Sequence, residues 1–164
     1  MSNPTGPPKA ILIVGLMYSK QPNEIENSLK SEYGEFAESE EVAFDFTKFY
    51  EQEFGTALKK KYLAFKTPFD IEKLPDAKLF CYSLEYCCGK REINIDPGYL
   101  TSNSVVLASF KPRPHRIYLK EGVYADLQLT YENKDYRKYP WTFPDLDSFK
   151  GFLLLSRAAL TARE

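Results

Sequence analysis

Apolar and polar positions divide the chain into short strands with a few helical stretches between them. Residues 9–18, KAILIVGLMY, are almost without interruption apolar and rich in β-formers, which predicts a buried central strand. Pro22 and Asn23 ahead of Glu24 and Glu26 start a helix that runs to about Tyr33 and stops at Gly34. Residues 41–46, EVAFDF, alternate and read as a second strand. Residues 47–55 place Phe46, Phe49, Tyr50 and Glu53 at helical spacing and read as a helical turn ended by Gly55. Residues 60–66 form a third strand. Pro75 and Asp76 open a helix over 77–88, stopped by Gly89, with an apolar stripe at Leu79, Phe80, Leu84, Cys87 and Cys88.

A fourth strand, 91–95, meets Asp96-Pro97-Gly98, whose order of residues predicts a type II turn. A fifth strand spans 104–111 and is broken by Pro112 and Pro114, because proline cannot donate to a ladder. Residues 115–119 and 123–131 pair as a hairpin across 120–122. Residues 132–147 read as a polar loop containing Trp141, and a last helix starts at Asp147 or Ser148, with Phe149, Phe152, Leu153, Ser156 and Leu160 inward. The order is β-α-β-β-α-β, followed by three strands and a helix. It predicts an α+β fold with an antiparallel-rich sheet: a ferredoxin-like start extended by a β-hairpin and a C-terminal helix. Residues 1–9, with three prolines, read as a flexible tail ahead of one domain spanning 10–164.

Period-two parity sharpens the hairpin. Tyr124, Asp126, Gln128 and Thr130 share one face; Val123, Ala125, Leu127, Leu129 and Tyr131 share the other, the core face. A three-residue loop at 120–122 sets Leu119 against Val123, Tyr118 against Tyr124 and Arg116 against Asp126, so like faces like throughout. A two-residue loop sets Arg116 against Leu127, a worse match. The Arg116–Asp126 pair then reads either as an exposed cross-strand ion pair worth about 0.2–1 kcal/mol or as the wall of a pocket. His115 falls on the opposite face, towards the core, unless the neighbouring prolines re-aim it.

Charge changes the picture mainly by what it excludes. The 164 residues carry 22 basic and 23 acidic side chains, a net charge of −1, which argues against a dedicated nucleic-acid binder. The longest apolar run, 10–17, falls well short of the roughly 20 residues a membrane helix needs, and no secretion signal is visible. Three cysteines without secretory context point to a reducing cytoplasm, and Cys87-Cys88 with a single histidine in the chain does not make a zinc site. Twelve tyrosines and twelve phenylalanines suit a cavity with polar lining.

Within 91–131, charges of both signs recur at strand-compatible spacing. His115, Asp96 and Asp126 are the candidate catalytic residues: an imidazole that titrates near neutrality and two carboxylates. Arg91, Asn94, Lys111, Arg116, Tyr118, Glu53 and Glu85 are the candidate ligand-binding residues, with Lys111, Arg113 and Arg116 suited to phosphate. If Asp96 and Asp126 converge they could hold a divalent cation, the one cofactor considered; no metal-ligand set is assigned. Phosphate loop, dinucleotide fingerprint and nucleophile elbow are all missing from the sequence, and Asn133-Lys134-Asp135 does not have the guanine-reading spacing.

Seven ordered motifs point to one family. They are FDFTKFYEQEFG (44–55), Leu84-Glu85, REINIDPGYL (91–100), VLASFK (106–111), HRIYL (115–119), GVYA (122–125) and WTFPD (141–145). Together they resemble the uncharacterised prokaryotic domain-of-unknown-function family 4416, over roughly 10–160. Some members carry a GTP-binding label, which the missing GTPase motifs do not support. The resemblance implies that Asp45, Thr47, Tyr50, Glu53, Glu85, Arg91, Asn94, Asp96, Lys111, His115, Arg116, Asp126 and Trp141 are family motif positions. Where the family usually has Glu-Val-Thr-Leu, this chain has Asp126-Leu127-Gln128-Leu129. The expectation is a cytoplasmic protein, without membrane association, whose mixed-charge pocket on the sheet binds or converts a phosphorylated or carboxylated small molecule. The alternative is a non-catalytic module for RNA or protein. A homo-oligomer is the third possibility, with the charges as interface networks.

Overall fold

A computed structural model describes residues 3–46, 48–87 and 89–162. Thr47, which the sequence places at the start of a helical turn, and Cys88 lie outside the described residues, as does the side chain of Cys87.

The apolar run becomes strand β1, Ala10–Tyr18, buried at every position. Such a strand needs cover on both faces. Ile11 and Ile13 pack on one side, and Leu12, Val14, Leu16 and Tyr18 on the other. α1 (Asn23–Tyr33) follows, then the short strands β2 (Phe36–Glu38) and β3 (Val42–Ala43) and the single turn α2 (Glu51–Phe54). β4 (Lys59–Pro68) returns beside β1. A 3-10 turn leads into α3 (Leu74–Leu84), and β5 (Tyr86–Cys87) pairs with β6 (Lys90–Arg91) as a small ribbon. β7 (Ile93–Thr101), β8 (Ser104–Ser109), β9 (Ile117–Lys120), β10 (Val123–Glu132) and β11 (Asp135–Lys138) complete the sheet, and α4 (Leu146–Thr161) closes the fold.

The main sheet runs β11-β10-β8-β7-β1-β4-β2, with β3 also on β4 and β9 also on β10. Every ladder among the described residues is antiparallel. α1 and α3 cover one face through Leu29, Ala77 and Cys81. α4 covers part of the other through Leu146, Phe149, Leu153 and Leu160. The fold is therefore α+β on a mostly antiparallel sheet, with the first strand antiparallel to both its neighbours rather than set beside a parallel partner. No helix among the described residues is long and apolar enough to cross a membrane.

Several expected elements need correction. Asp96-Pro97-Gly98 is not a turn: β7 runs straight through it, pairing Asp96, Pro97 and Gly98 with Gly15, Val14 and Ile13. Pro97 is tolerated because its missing N–H would point away from β1. Ile95, two residues earlier, directs its N–H and C=O to that same side, where Glu85, just past the end of α3, and Lys78 of α3 meet them. Gly98 serves close packing, since a Cβ there would lie 2.2 Å from the Val106 carbonyl oxygen. The third helix starts at Leu74 and ends at Leu84 instead of covering 77–88, and 41–46 shortens to the two residues of β3. Within 132–147 the expected loop contains β11, turned through Asn133 and Lys134, both at positive φ.

The hairpin keeps the expected Tyr118–Tyr124 pairing but not the three-residue loop or the Leu119–Val123 pairing. Glu121 and Gly122 alone form the turn, both at positive φ, as the tight two-residue hairpin turn requires. Lys120 therefore faces Val123, and an irregularity beside it restores Tyr118 opposite Tyr124 and Ile117 opposite Ala125. A second register shift between Leu127 and Leu129 reverses the parity of β10. Leu129 accordingly packs with the α4 layer while Leu127 packs with the α3 layer. The single core face expected for 123–131 does not exist.

Candidate functional site

The sheet divides beyond the β7–β8 ladder, which covers Gly98 to Leu100. The edge of β7 is thereby left unpaired at Ile95, where bare amide and carbonyl groups would be costly. Two buried charges from α3 and its end replace the missing strand. Glu85 Oε1 accepts the Ile95 N–H at 2.7 Å, and Lys78 Nζ donates to the Ile95 carbonyl at 3.1 Å. From these a network closes. Lys78 lies 3.4 Å from Asp96 Oδ1, and Asn94 Nδ2 donates to Asp96 Oδ2 at 2.6 Å. Arg91 donates from Nη2 to Asn94 Oδ1 at 2.5 Å and from Nε to Glu85 Oε2 at 2.7 Å. Arg91 also reaches Glu53 at 3.3 Å and stacks over Phe54 at 5.1 Å. Five sequence candidates, Glu53, Glu85, Arg91, Asn94 and Asp96, thus meet in one centre.

Burial raises the Glu85 carboxyl despite Arg91 and the Ile95 amide. Burial also presses Asp96 upward, but the ammonium groups of Lys78 and Lys60 and the Asn94 hydrogen bond outweigh it, so its carboxyl is held low. Sequence reasoning missed Lys78, although a lysine among Leu74, Ala77 and Cys81 on one helix face was a usable signal. It also missed the buried pair Lys60–Asp145, 2.6 Å apart and ringed by Phe44, Tyr62 and Phe143. Tyr62 lies across Gly15, where a Cβ would come within 2.9 Å of its Cζ, and its buried hydroxyl has no hydrogen-bond partner among the described residues. Burial, together with Asp145 and Asp96, raises that phenol well above its usual range. Cys81 is pushed up to about 12 by burial, which removes it as a nucleophile.

The second centre sits at the hairpin. On the edge of β10 away from β8, β9 pairs up to Ala125 and β11 from Leu129 onward, leaving a window at 126–128. The loop before α4 fills it. Trp141 Nε1 donates to the Leu127 carbonyl at 2.8 Å, Thr142 Oγ1 to the Gln128 carbonyl at 2.6 Å, and the Phe143 N–H to Gln128 Oε1 at 2.8 Å. Asp126 and Gln128 are consequently wholly buried, not on a wet face. Arg116 Nε donates to Asp126 Oδ2 at 2.7 Å, while its Nη1 holds Ser109 Oγ at 2.7 Å and the Lys111 carbonyl at 2.8 Å. His115 is re-aimed by the proline-bearing turn, so that its Nε2 stands 3.4 Å from Asp126 Oδ1 and its ring stacks on Trp141. Lys111 is exposed, and Tyr118, 58% exposed, packs edge-on against Tyr124.

Asp96 and Asp126 both face the α4 side of the sheet. Gly98, Leu107 and Asp126 lie in one cross-strand row, with Asp96 two residues along. Strand spacing and rise separate Asp96 from Asp126 by about 12 Å between Cα atoms. The residues expected in one pocket, Asp96, Lys111, His115, Arg116 and Asp126, therefore fall around two centres. Among the described residues no three His, Cys, Asp or Glu side chains gather as a metal site needs.

Beside the first centre lies a cleft of about 660 Å³. Its walls are the loop after β1, the first turn of α1, the end of α2, Leu84 and Glu85, and residues 90–93. Lys20, Lys90 and Arg91 face it, as do Glu24, Glu53, Glu85 and Glu92. Lys20 and Lys90 have no ion partner among the described residues. No side chain caps α1, whose N-terminal residue follows Pro22.

No curated protein and no solved structure matches the chain. A family model, the Domain of unknown function (DUF4416), matches residues 8–158. That match takes in both centres and the cleft, and with it the chain belongs to the DUF4416 family.

Proposed function

We propose that the chain binds a small anionic molecule, phosphorylated or carboxylated, in the cleft between the end of β1 and the first turn of α1. The observation that carries this reading is the cleft itself: it has the size usual for small-molecule sites and is lined by Lys20, Lys90 and Arg91. Lys20 and Lys90 are exposed cations free to take an anion, and the positive end of α1 favours one there. Arg91 is fixed by Glu85 and Asn94, so a ligand resting on it meets a guanidinium already oriented. Glu24 and Glu92 leave room for a positive or hydroxylated group elsewhere on the same ligand. The Lys78–Asp96–Asn94–Arg91–Glu85 network is the rigid floor of the site. It keeps the unpaired edge of β7 satisfied and transmits that rigidity to Arg91. A cytoplasmic setting accords with Cys81 as a free, buried thiol.

The test is calorimetric titration with phosphate, pyrophosphate, sugar phosphates and short carboxylates. Lys20→Ala/Lys90→Ala, which alters exposed side chains only, should weaken the binding of any hit at least ten-fold. Equal affinity in that variant, or no heat from any anion, would reject the reading.

A further inference from the structure

We propose that the ligand of the cleft beside α1 carries an ammonium group as well as its phosphate or carboxylate, so that its class is the small amino acids and amino phosphates. The inference rests on the reading that the cleft takes an anionic group, and it narrows which anions qualify.

The cleft is not a cationic pocket. Lys20, Lys90 and Arg91 line it, but so do four carboxylates, Glu24, Glu53, Glu85 and Glu92. Arg91 is already matched within the protein: its Nε donates to Glu85 at 2.7 Å, and its Nη1 reaches Glu53 Oε1 at 3.3 Å. Lys20 and Lys90 are left to draw an anion in. Glu24, Glu92 and the second oxygen of Glu53 are left to repel it. A ligand bearing only negative charge gains from the first set and loses to the second. A ligand bearing both signs gains from both, which is how charge complementarity selects among ligands of equal size.

The placement of these charges supports the same class. Lys20 and Glu24 belong to the wall made by the loop after β1 and the first turn of α1; Lys90 and Glu92 flank Arg91 on the wall made by 90–93. Each wall therefore presents both signs. No ion pair joins Lys20 to Glu92 or Lys90 to Glu24. Elsewhere the chain pairs exposed charges readily, as in Lys30–Glu35, Lys59–Glu41 and Lys138–Asp147, all within 2.8 Å. The opening between the walls keeps opposite charges out of mutual reach, and a zwitterion lying in it can meet a cation and a carboxylate at once. Its phosphate or carboxylate goes to Lys20 and Lys90, and its ammonium to Glu24 and Glu92. Ile25, Phe54, Leu84 and Ile93 line the same space, so a short aliphatic body between the two charged groups finds apolar surface.

Matched pairs that differ only in the amino group test this by calorimetric titration of the full chain. The pairs are O-phosphoethanolamine and ethyl phosphate, leucine and 4-methylpentanoate, and 6-aminohexanoate and hexanoate. They set the ammonium near the acid or far from it. In at least one pair the amino member should bind about ten-fold tighter or better, which is about 1.4 kcal/mol. In Glu24→Gln/Glu92→Gln that advantage should shrink to about three-fold or less, while the deamino member binds no more weakly than it does to the wild type. Both side chains are exposed and have no ion partner among the described residues, so the variant keeps the fold. Equal or tighter binding of the deamino member in every pair overturns the proposal; if Lys20→Ala/Lys90→Ala still weakens that binding, the anion site itself stands. An advantage undiminished in Glu24→Gln/Glu92→Gln overturns the proposal too, because the ammonium then rests elsewhere. No heat from any of these compounds at about 10 mM, enough to fill even a millimolar site, overturns this inference and the anion site together.

Discussion

Replacing Arg116 by alanine should destabilise the protein by about 3–5 kcal/mol, the usual cost of leaving one member of a buried ion pair alone. The estimate follows from three features. Asp126 is 0% exposed and Arg116 keeps 8% of its side-chain exposure, so solvent cannot take over for a lost partner. The variant removes the 2.7 Å bond to Asp126 Oδ2 and leaves the carboxylate with only the 3.4 Å approach of His115. It also deletes the two bonds that hold the turn to Ser109 and the Lys111 carbonyl. Against a total stability of about 5–15 kcal/mol the loss is large, and it corresponds to a fall in Tm of roughly 10 °C for a domain of this size. Urea unfolding followed by Trp141 fluorescence measures it. A paired replacement, Arg116→Met with Asp126→Leu, removes both charges and should recover most of the loss. A loss under about 1 kcal/mol for Arg116→Ala would refute the argument, because that is the worth of an exposed pair. A paired variant no better than the single one would refute it equally.

Other expectations follow from the same geometry. Gly98→Ala forces a Cβ to within 2.2 Å of backbone, so β7 and β8 must part; a loss of at least about 1–3 kcal/mol should appear in urea unfolding, and a neutral result would show that the strands approach less closely. Asp96 has a folded-state carboxyl held below its unfolded value of about 3.9. Its contribution is therefore complete above about pH 4 and lost as the pH falls below it. The stability difference between wild type and Asp96→Asn should shrink from pH 6 to pH 3, and a constant difference would contradict the assigned pairing with Lys78 and Lys60. Trp141→Phe keeps a ring in the stack but loses the bond to the Leu127 carbonyl; a cost of about 1–3 kcal/mol is expected for that unsatisfied group, and hydrogen exchange at 126–128 should accelerate.

The residues that gather at the sheet were legible because charge inside strand-like sequence is rare. Asn94 and Asp96, two residues apart on one strand, share a face by parity alone, and Arg116 could be placed opposite Asp126. What parity could not foresee was its own interruption. The irregularity beside Val123 and the shift at Gln128 are set by how β10 meets three partners at once, which no local pattern records. Burial was misjudged for the same reason. Asp126 looked solvent-facing because its cover comes from Trp141–Phe143, distant in sequence. Pro97-Gly98 carried strong turn chemistry, yet tertiary context prevailed. The side where Pro97 lacks an N–H is the side where β7 has no strand partner at that point, and Gly98 is needed for close approach. Lys60 and Lys78 were passed over because each sits inside an element otherwise read by its apolar positions, and Asp145 because it lies in a stretch read as a polar loop.

The central claim is that the cleft at the start of α1 binds an anion. Thermal denaturation across a panel of phosphate esters and carboxylates, in wild type and in Lys20→Ala/Lys90→Ala, tests it most directly. An anion present at 100 times its Kd should add about 2.7 kcal/mol to the wild type, a rise in Tm of roughly 5–10 °C, and little to the variant. A panel that leaves the wild type unmoved, or that raises both proteins equally, would contradict it.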